Sequence, residues 1–283
     1  MVGIIPTLVE WRNSGTQSPG EARKTVFRLL GPLELTKGNV RYTPTAHKVR
    51  QVLAILVSRS NRVVGIDSII EELWHDRQPR TAWTTTQTYI YQLRKLFDEL
   101  GMNSGGEILV TRAPGYVLEV PDSEIDVRMF DGLVRQGRAL IETGRTETAV
   151  HVLRKAEDLW SGPALSNMSC GPLLESYTAH LEEMRIDALE LRVSAEMRLG
   201  HHRELIAELR SLIKEHSLNE WLHAQLITAL SRSGRRGEAL RAYRELRLLM
   251  NTELGLEPSV ELQRVHQDVL AADAEPVRLL QPL

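Results

Sequence analysis

Apolar side chains recur three and four positions apart along residues 79–100 (PRTAWTTTQTYIYQLRKLFDEL), at Ile90, Leu93, Leu96, Phe97 and Leu100. That spacing gathers them on one stripe of a helix. Thr84, Thr85, Thr88, Tyr91, Gln92 and Lys95 lie largely off the stripe. Their hydroxyl, amide and ammonium groups can bond base edges and phosphates in a major groove. No Asp or Glu occurs between Pro79 and Phe97, which suits a surface that approaches phosphates. An amphipathic helix with a solvated polar face would show the same period, so the neighbouring pattern has to decide.

Upstream, VFRLLGPLELTKGNVRYTP splits short apolar runs at Gly31-Pro32 and Lys37-Gly38-Asn39, predicting an antiparallel sheet of two or three strands. Thr45 is placed to cap a helix through about Ser60, with Val49, Val52, Leu53, Leu56 and Val57 on one face. After a turn at 61–65, with Val63-Val64 as a short extended pairing, Asp67 is placed to cap a helix over 68–74. Gly101 stops the long helix. Residues 107–120 (EILVTRAPGYVLEV) then read as a hairpin with Arg112-Ala113-Pro114-Gly115 at its tip. Sheet, three helices and hairpin in residues 25–121 spell a winged helix-turn-helix, with Ala82 to Leu100 as its recognition helix. Arg112 is then placed to enter a minor groove or hold a phosphate, and Lys48 and Arg50 are candidate phosphate contacts. Trp74 and Trp83 are expected to pack rather than stack on bases.

From residue 122 the pattern is helical, with an internal repeat. Gly144, Gly200 and Gly234 share offsets: Ala149, Leu205 and Ala239 five on, Leu153, Leu209 and Tyr243 nine on, Ala156, Leu212 and Leu246 twelve on. The second and third glycines are 34 residues apart, the tetratricopeptide period. The first two are 56 apart, which the loop SGPALSNMSCGP at 161–172 and a longer helix after it can supply. Helices are predicted over 126–142, 146–160, 173–199, 202–215, 219–233, 236–253 and 259–272, as stacked hairpins that bury each other's apolar faces. Residues 1–24 read as a flexible leader and 274–283 as a loose tail, leaving a second domain at 122–273. The predicted class is mainly α with a small α+β module.

Charge sharpens this division. Residues 23–120 carry 14 Lys+Arg against 9 Asp+Glu, and residues 121–283 carry 20 against 26. A basic front half favours a polyanion partner there and a different partner behind. The single cysteine, Cys170, excludes an internal disulfide, fits a reducing cytoplasm and is expected to act as a small buried hydrophobe. No apolar run approaches the ~18 residues of a membrane span. The pairs His201-His202 and His216 with His223 lack further ligands at a recognised spacing, so no metal is expected. No phosphate loop, dinucleotide fingerprint, nucleophile elbow or zinc-protease motif occurs, so neither an enzyme nor a cofactor is expected.

FRLLGPLEL, SRSNRVVGIDSIIEELW, TTTQTYIYQLRKLF and LVTRAPGYVLEV, followed by LWSGPAL, ALSRSGRRGEALRAYRELR and ELGLEPSVEL, resemble the Streptomyces antibiotic regulatory proteins over about residues 25–272. The resemblance implies an OmpR-type winged helix, like the output domain of two-component regulators, followed by a tetratricopeptide-like bacterial transcriptional activation domain. It implies a cytoplasmic, nucleoid-associated activator of biosynthetic genes. Such an activator binds direct repeats in double-stranded DNA as a homodimer and engages RNA polymerase holoenzyme through the sigma factor and the alpha and beta subunits. Carried onto this sequence, the DNA-facing positions are Thr84, Thr85, Thr88, Tyr91, Gln92 and Arg94, with Arg112 in the wing. Relatives often carry Arg where this chain has Gln92, and an apolar residue where it has Thr86. The alternative is a helical-repeat interaction or effector-sensing scaffold with only weak DNA binding. A cut after about Val120 is expected to leave some DNA binding and to abolish activation through lost assembly.

Overall fold

The computed structural model describes residues 8–12, 25–75, 77–102 and 105–271. Its contacts divide the chain into two compact units, Met1–Ala139 with His151–Leu189, and Leu140–Val150 with Glu190–Leu283. The domain boundary expected at 121/122 therefore falls inside the first unit.

The first unit opens with an antiparallel sheet of β1 (Leu8–Arg12), β2 (Thr25–Arg28), β3 (Glu34–Lys37) and β4 (Val40–Pro44), in the order β1-β4-β3-β2. β1 pairs with β4 from Leu8 opposite Pro44 to Arg12 opposite Val40, inside the stretch read as a leader. The rest of that leader, and the 274–283 tail, lie outside the described residues. Along β2 burial alternates, so Thr25 and Phe27 face the core.

Three helices follow: α1 (His47–Ser58), α2 (Ile66–Trp74) and α3 (Ala82–Glu99). The expected caps differ. Ala46 and Gly65 occupy the N-cap positions of α1 and α2, with no side-chain cap bond from either. The apolar stripe of α3 is buried as predicted, with Ile90, Leu93, Leu96 and Phe97 at 0–2% exposure. Phe97 meets Phe27 edge-to-face at 6.1 Å. Thr86 is fully buried in that stripe, and its hydroxyl donates to Ala82 O at 2.8 Å, which removes the cost of an unpaired polar group there. The Gly101 N–H donates to Asp98 O and the Met102 N–H to Phe97 O, closing the helix as expected. A four-residue helix the sequence did not suggest, α4 (Gly105–Ile108), leads into the wing strands β6 (Leu109–Arg112) and β7 (Gly115–Leu118). The Val63-Val64 pairing is realised as β5 (Val64–Gly65), which adds to β7.

The first unit also holds α5 (Asp126–Glu142) up to Ala139, α6 (Thr146–Glu157) from His151 and α7 (Pro172–Arg198) up to Leu189, while Leu140–Val150 belongs to the second unit. Two buried carboxylates join these segments. Asp126, 1% exposed, accepts the N–H groups of Leu29 and Leu30 at 2.9–3.0 Å and that of Val127 at 2.8 Å. Glu72, 2% exposed, accepts Gly171 N–H at 2.6 Å and Leu173 N–H at 2.7 Å, capping α7 from α2. A Cβ on Gly171 would stand 2.4 Å from Glu72 O, so the approach needs glycine. The loop at 161–172 adds further bonds: Asn167 Oδ1 accepts Leu33 N–H, and Gln51 Nε2 donates to Ser169 O. A cut after Val120 removes all of these bonds. Cys170, in this loop, is half-buried, and burial with Glu72 and Glu175 pushes its thiol up.

The second unit holds the end of α7, then α8 (His202–Glu215), α9 (Glu220–Arg232), α10 (Arg236–Leu254) and α11 (Val260–Ala271). The repeat register is visible in burial across the two units. Eight of its nine apolar positions are buried and Leu212 is half-buried. The three glycines take φ of 77–83°, which favours glycine at a helix end. Asn219 caps α9 by accepting Leu222 N–H at 3.1 Å. Arg192, fully buried, is paired by Glu196 at 2.9 Å and by Glu208.

The carboxylates give two predictions. Glu72→Ala strands the part-buried N–H groups of Gly171 and Leu173 and the buried one of Leu174, and should destabilise the chain by about 3 kcal/mol in urea unfolding. A loss under 1 kcal/mol would show that water replaces the cap. Burial pushes the Asp126 carboxyl up to about 6, against the pull of the Leu30, Leu29 and Val127 amides and of Arg28. Because this pKa is raised on folding, the stabilisation it brings is present below the unfolded value of 3.8 and is lost as pH rises through about 6. Wild type should therefore gain about 2 kcal/mol over Asp126→Asn between pH 7 and pH 4. A constant difference between the two proteins across that range would contradict it.

Candidate nucleic-acid interface

α3 turns its unburied side outward beside the wing. Thr84, Thr88, Tyr91 and Lys95 are exposed, Tyr91 to 67%. Thr85 and Gln92 are half-buried at the edge of this face. The threonine hydroxyls are already committed as donors: Thr84 Oγ1 to Thr81 O at 3.0 Å, Thr88 Oγ1 to Thr84 O at 3.0 Å, and Thr85 Oγ1 to Thr81 Oγ1 at 3.4 Å. Beside these local bonds the threonines present their methyls and hydroxyl lone pairs outward. Lys95 pairs loosely with Glu99 at 3.7 Å.

Arg94 has another task. Its Nε donates to Leu109 O at 2.9 Å and its Nη2 to Thr111 Oγ1 at 2.8 Å. The guanidinium thus ties the end of α3 to the first wing strand, fixing helix and wing relative to each other within the first unit. Arg112 stands at the end of that strand opposite Gly115, and is exposed. It pairs with Glu119 across the hairpin at 2.6 Å. An exposed pair of this kind is worth at most about 1 kcal/mol, so a phosphate can displace the carboxylate.

Lys48 and Arg50, expected on phosphates, are engaged inside the unit. The Lys48 ammonium donates to Leu73 O and lies 6.0 Å over the Trp74 ring, and burial lowers its pKa. Arg50 Nη1 donates to Asn167 O at 2.8 Å. Both are consumed in joining α1 to α2 and to the 161–172 loop, a use no local pattern reveals because Asn167 is 117 residues away. Trp74 stacks on Tyr89 at 6.4 Å, as a packing residue should. Trp83, expected to pack as well, is 53% exposed on α3.

The structure also brings forward residues that sequence reasoning passed over. Arg77 and Arg80, in the segment between α2 and α3, are exposed and have no side-chain partner among the described residues. They flank the positive end of the α3 dipole. Gln87 is exposed on α3, also without a partner among the described residues. The signal for the arginines was available: they are basic residues just outside a helix start, with no acid following before Asp98. Among the described residues no His, Cys, Asp and Glu gather as a metal site, and no helix is long and apolar enough to cross a membrane.

Residues 39–118 match the C-terminal domain of transcriptional regulatory proteins, and residues 125–270 match the bacterial transcriptional activator domain. The regulatory protein DnrI of Streptomyces peucetius is 39% identical over 251 residues, covering 87% of this chain and 92% of DnrI. The transcriptional regulator RedD of Streptomyces coelicolor is 33% identical over 248 residues, 87% of this chain and 71% of RedD. The structure of Mycobacterium tuberculosis EmbR, solved with a low-affinity phosphopeptide, superposes with a TM-score of 0.84 at 33% identity, over 93% of this chain and 67% of EmbR. The OmpR-type winged helix, the helical-hairpin stack behind it and a similarity that runs through both place the chain in the Streptomyces antibiotic regulatory protein family, whose members regulate transcription and are not enzymes.

Proposed function

We propose that this chain is a sequence-specific DNA-binding activator of biosynthetic genes. α3 enters the major groove of a direct repeat, and Arg112 reaches a phosphate or the adjacent minor groove. The observation that carries this reading is the exposed face of α3, free of acids from Ala82 to Phe97 and held in register with the wing by Arg94. A scaffold helix has no need of a guanidinium spent on fixing a hairpin beside its polar face. Arg77 and Arg80 supply backbone contacts at the helix start, in the place first assigned to Lys48 and Arg50.

Direct repeats set two copies head to tail, a heterologous contact that need not close into a dimer free in solution. Copies therefore load as a homodimer on DNA. A winged helix beside the −35 region lies next to sigma, and the repeat domain supports activation by holding the assembly. Arrangement on DNA and contacts to the sigma, alpha and beta subunits are read from family membership and from this reach.

A second reading, an effector-sensing stack, has one observation in its favour. A cavity of about 400 Å³ lies in the second unit, lined by Ile213, Leu226 and Leu230 with Arg210, Lys214 and Arg241. It is compatible with the first reading, because a ligand there could tune an activator.

Fluorescence polarisation of the full chain on a promoter duplex tests the proposal, and affinity should fall steeply as salt rises. Arg112→Ala should weaken binding to every sequence and flatten the log K against log salt slope by about one unit. An unchanged slope would place Arg112 off the DNA.

A further inference from the structure

Around α3, each residue advances about 100°. The buried residues Ala82, Thr86, Ile90, Leu93, Leu96, Phe97 and Leu100 then centre on one direction, and the direction opposite is occupied by Thr84, Tyr91 and Lys95, with the exposed Gln87 about 60° to one side. Gln92 stands about 140° round from Gln87. It lies at the margin of the buried arc, in keeping with its half-buried state. Gln87 is also nearer the helix start, the end from which a recognition helix contacts base edges. Its neighbours in the same row, Trp83 one turn before and Tyr91 one turn after, are both exposed. Its amide has no partner among the described residues, and both its donor and its acceptor are therefore available.

The flanking threonines add a chemical preference. Thr84 and Thr88 bond the helix backbone through their hydroxyls, and toward a groove they offer methyls. A methyl suits the C5-methyl of thymine. The one guanidinium of α3, Arg94, is directed to the wing.

We infer that Gln87 is the adenine-reading residue of this chain, its amide bridging adenine N6 and N7 while Thr84 and Thr88 pack on neighbouring thymine methyls. The half-site then carries A·T pairs under the N-terminal half of α3. This rests on the DNA-binding reading above.

The test uses the full chain on duplexes selected from a randomised library. Gln87→Ala should lower affinity for the selected duplex about 10- to 100-fold and leave affinity for random duplex and its salt slope unchanged. Replacing the contacted adenine by 7-deazaadenine removes the N7 acceptor. It should weaken wild type and leave Gln87→Ala unaffected, whereas Gln92→Ala should keep the wild-type preference. Gln87 is exposed, so its variant should fold, and circular dichroism checks this. Identical base preferences for wild type and Gln87→Ala overturn the assignment while DNA binding stands. If wild type selects no sequence and binds without salt dependence, the DNA-binding reading falls and takes this one with it.

Discussion

Two buried carboxylates, Glu72 and Asp126, hold the first unit of this protein together. Each is removed from water, which is costly, and each is compensated by backbone N–H groups that would otherwise be orphaned. Glu72 neutralises the start of α7, where the first-turn amides have no helical partner. Asp126 does the same for the chain leaving β2 at Leu29 and Leu30. Neither bond can form until distant parts of the sequence have met, so each links folding of the winged helix to that of the helices behind it.

This linkage shapes the surface left for a partner. Lys48, Arg50 and Lys37 donate to carbonyls within the unit, and Arg94 donates to the wing. What stays outward is the opposite side of α3, with Arg77 and Arg80 before it and Arg112 beside it. The modest basic excess of the front half is thus less than its formal charge suggests as a DNA-binding resource. A reading helix needs a fixed inclination to the groove, and the Arg94 bonds to Leu109 and Thr111 supply one.

Much of this was legible in the sequence, for identifiable reasons. Long helices such as α5, α8 and α10 carry a strong 3.6-residue period, and their predicted bounds differ from the observed ones by a residue or less. The glycine register exposed the repeat because each helical hairpin ends its helix in the same left-handed turn. β1 and α4 were missed, since five and four residues are too few to show a period. Thr45 and Asp67 were plausible caps on residue type, but the helices begin elsewhere. Lys48 and Arg50 were assigned to phosphates because local pattern cannot reveal a carbonyl reached through tertiary contact. Gln92 drew notice as an off-stripe amide and again through family resemblance, whereas Gln87 becomes prominent only when the buried arc of α3 is known.

The claim that the winged helix and the segments 125–139 and 151–189 form one folding unit, joined by these carboxylates, is most directly tested by native-state hydrogen exchange. The amides of Leu29, Leu30, Leu173 and Leu174 should exchange with the same opening free energy as the core amides of α3, and with the same dependence on denaturant. Exchange of the Leu173 and Leu174 amides through a smaller, denaturant-insensitive opening, with α3 still protected, would contradict the account.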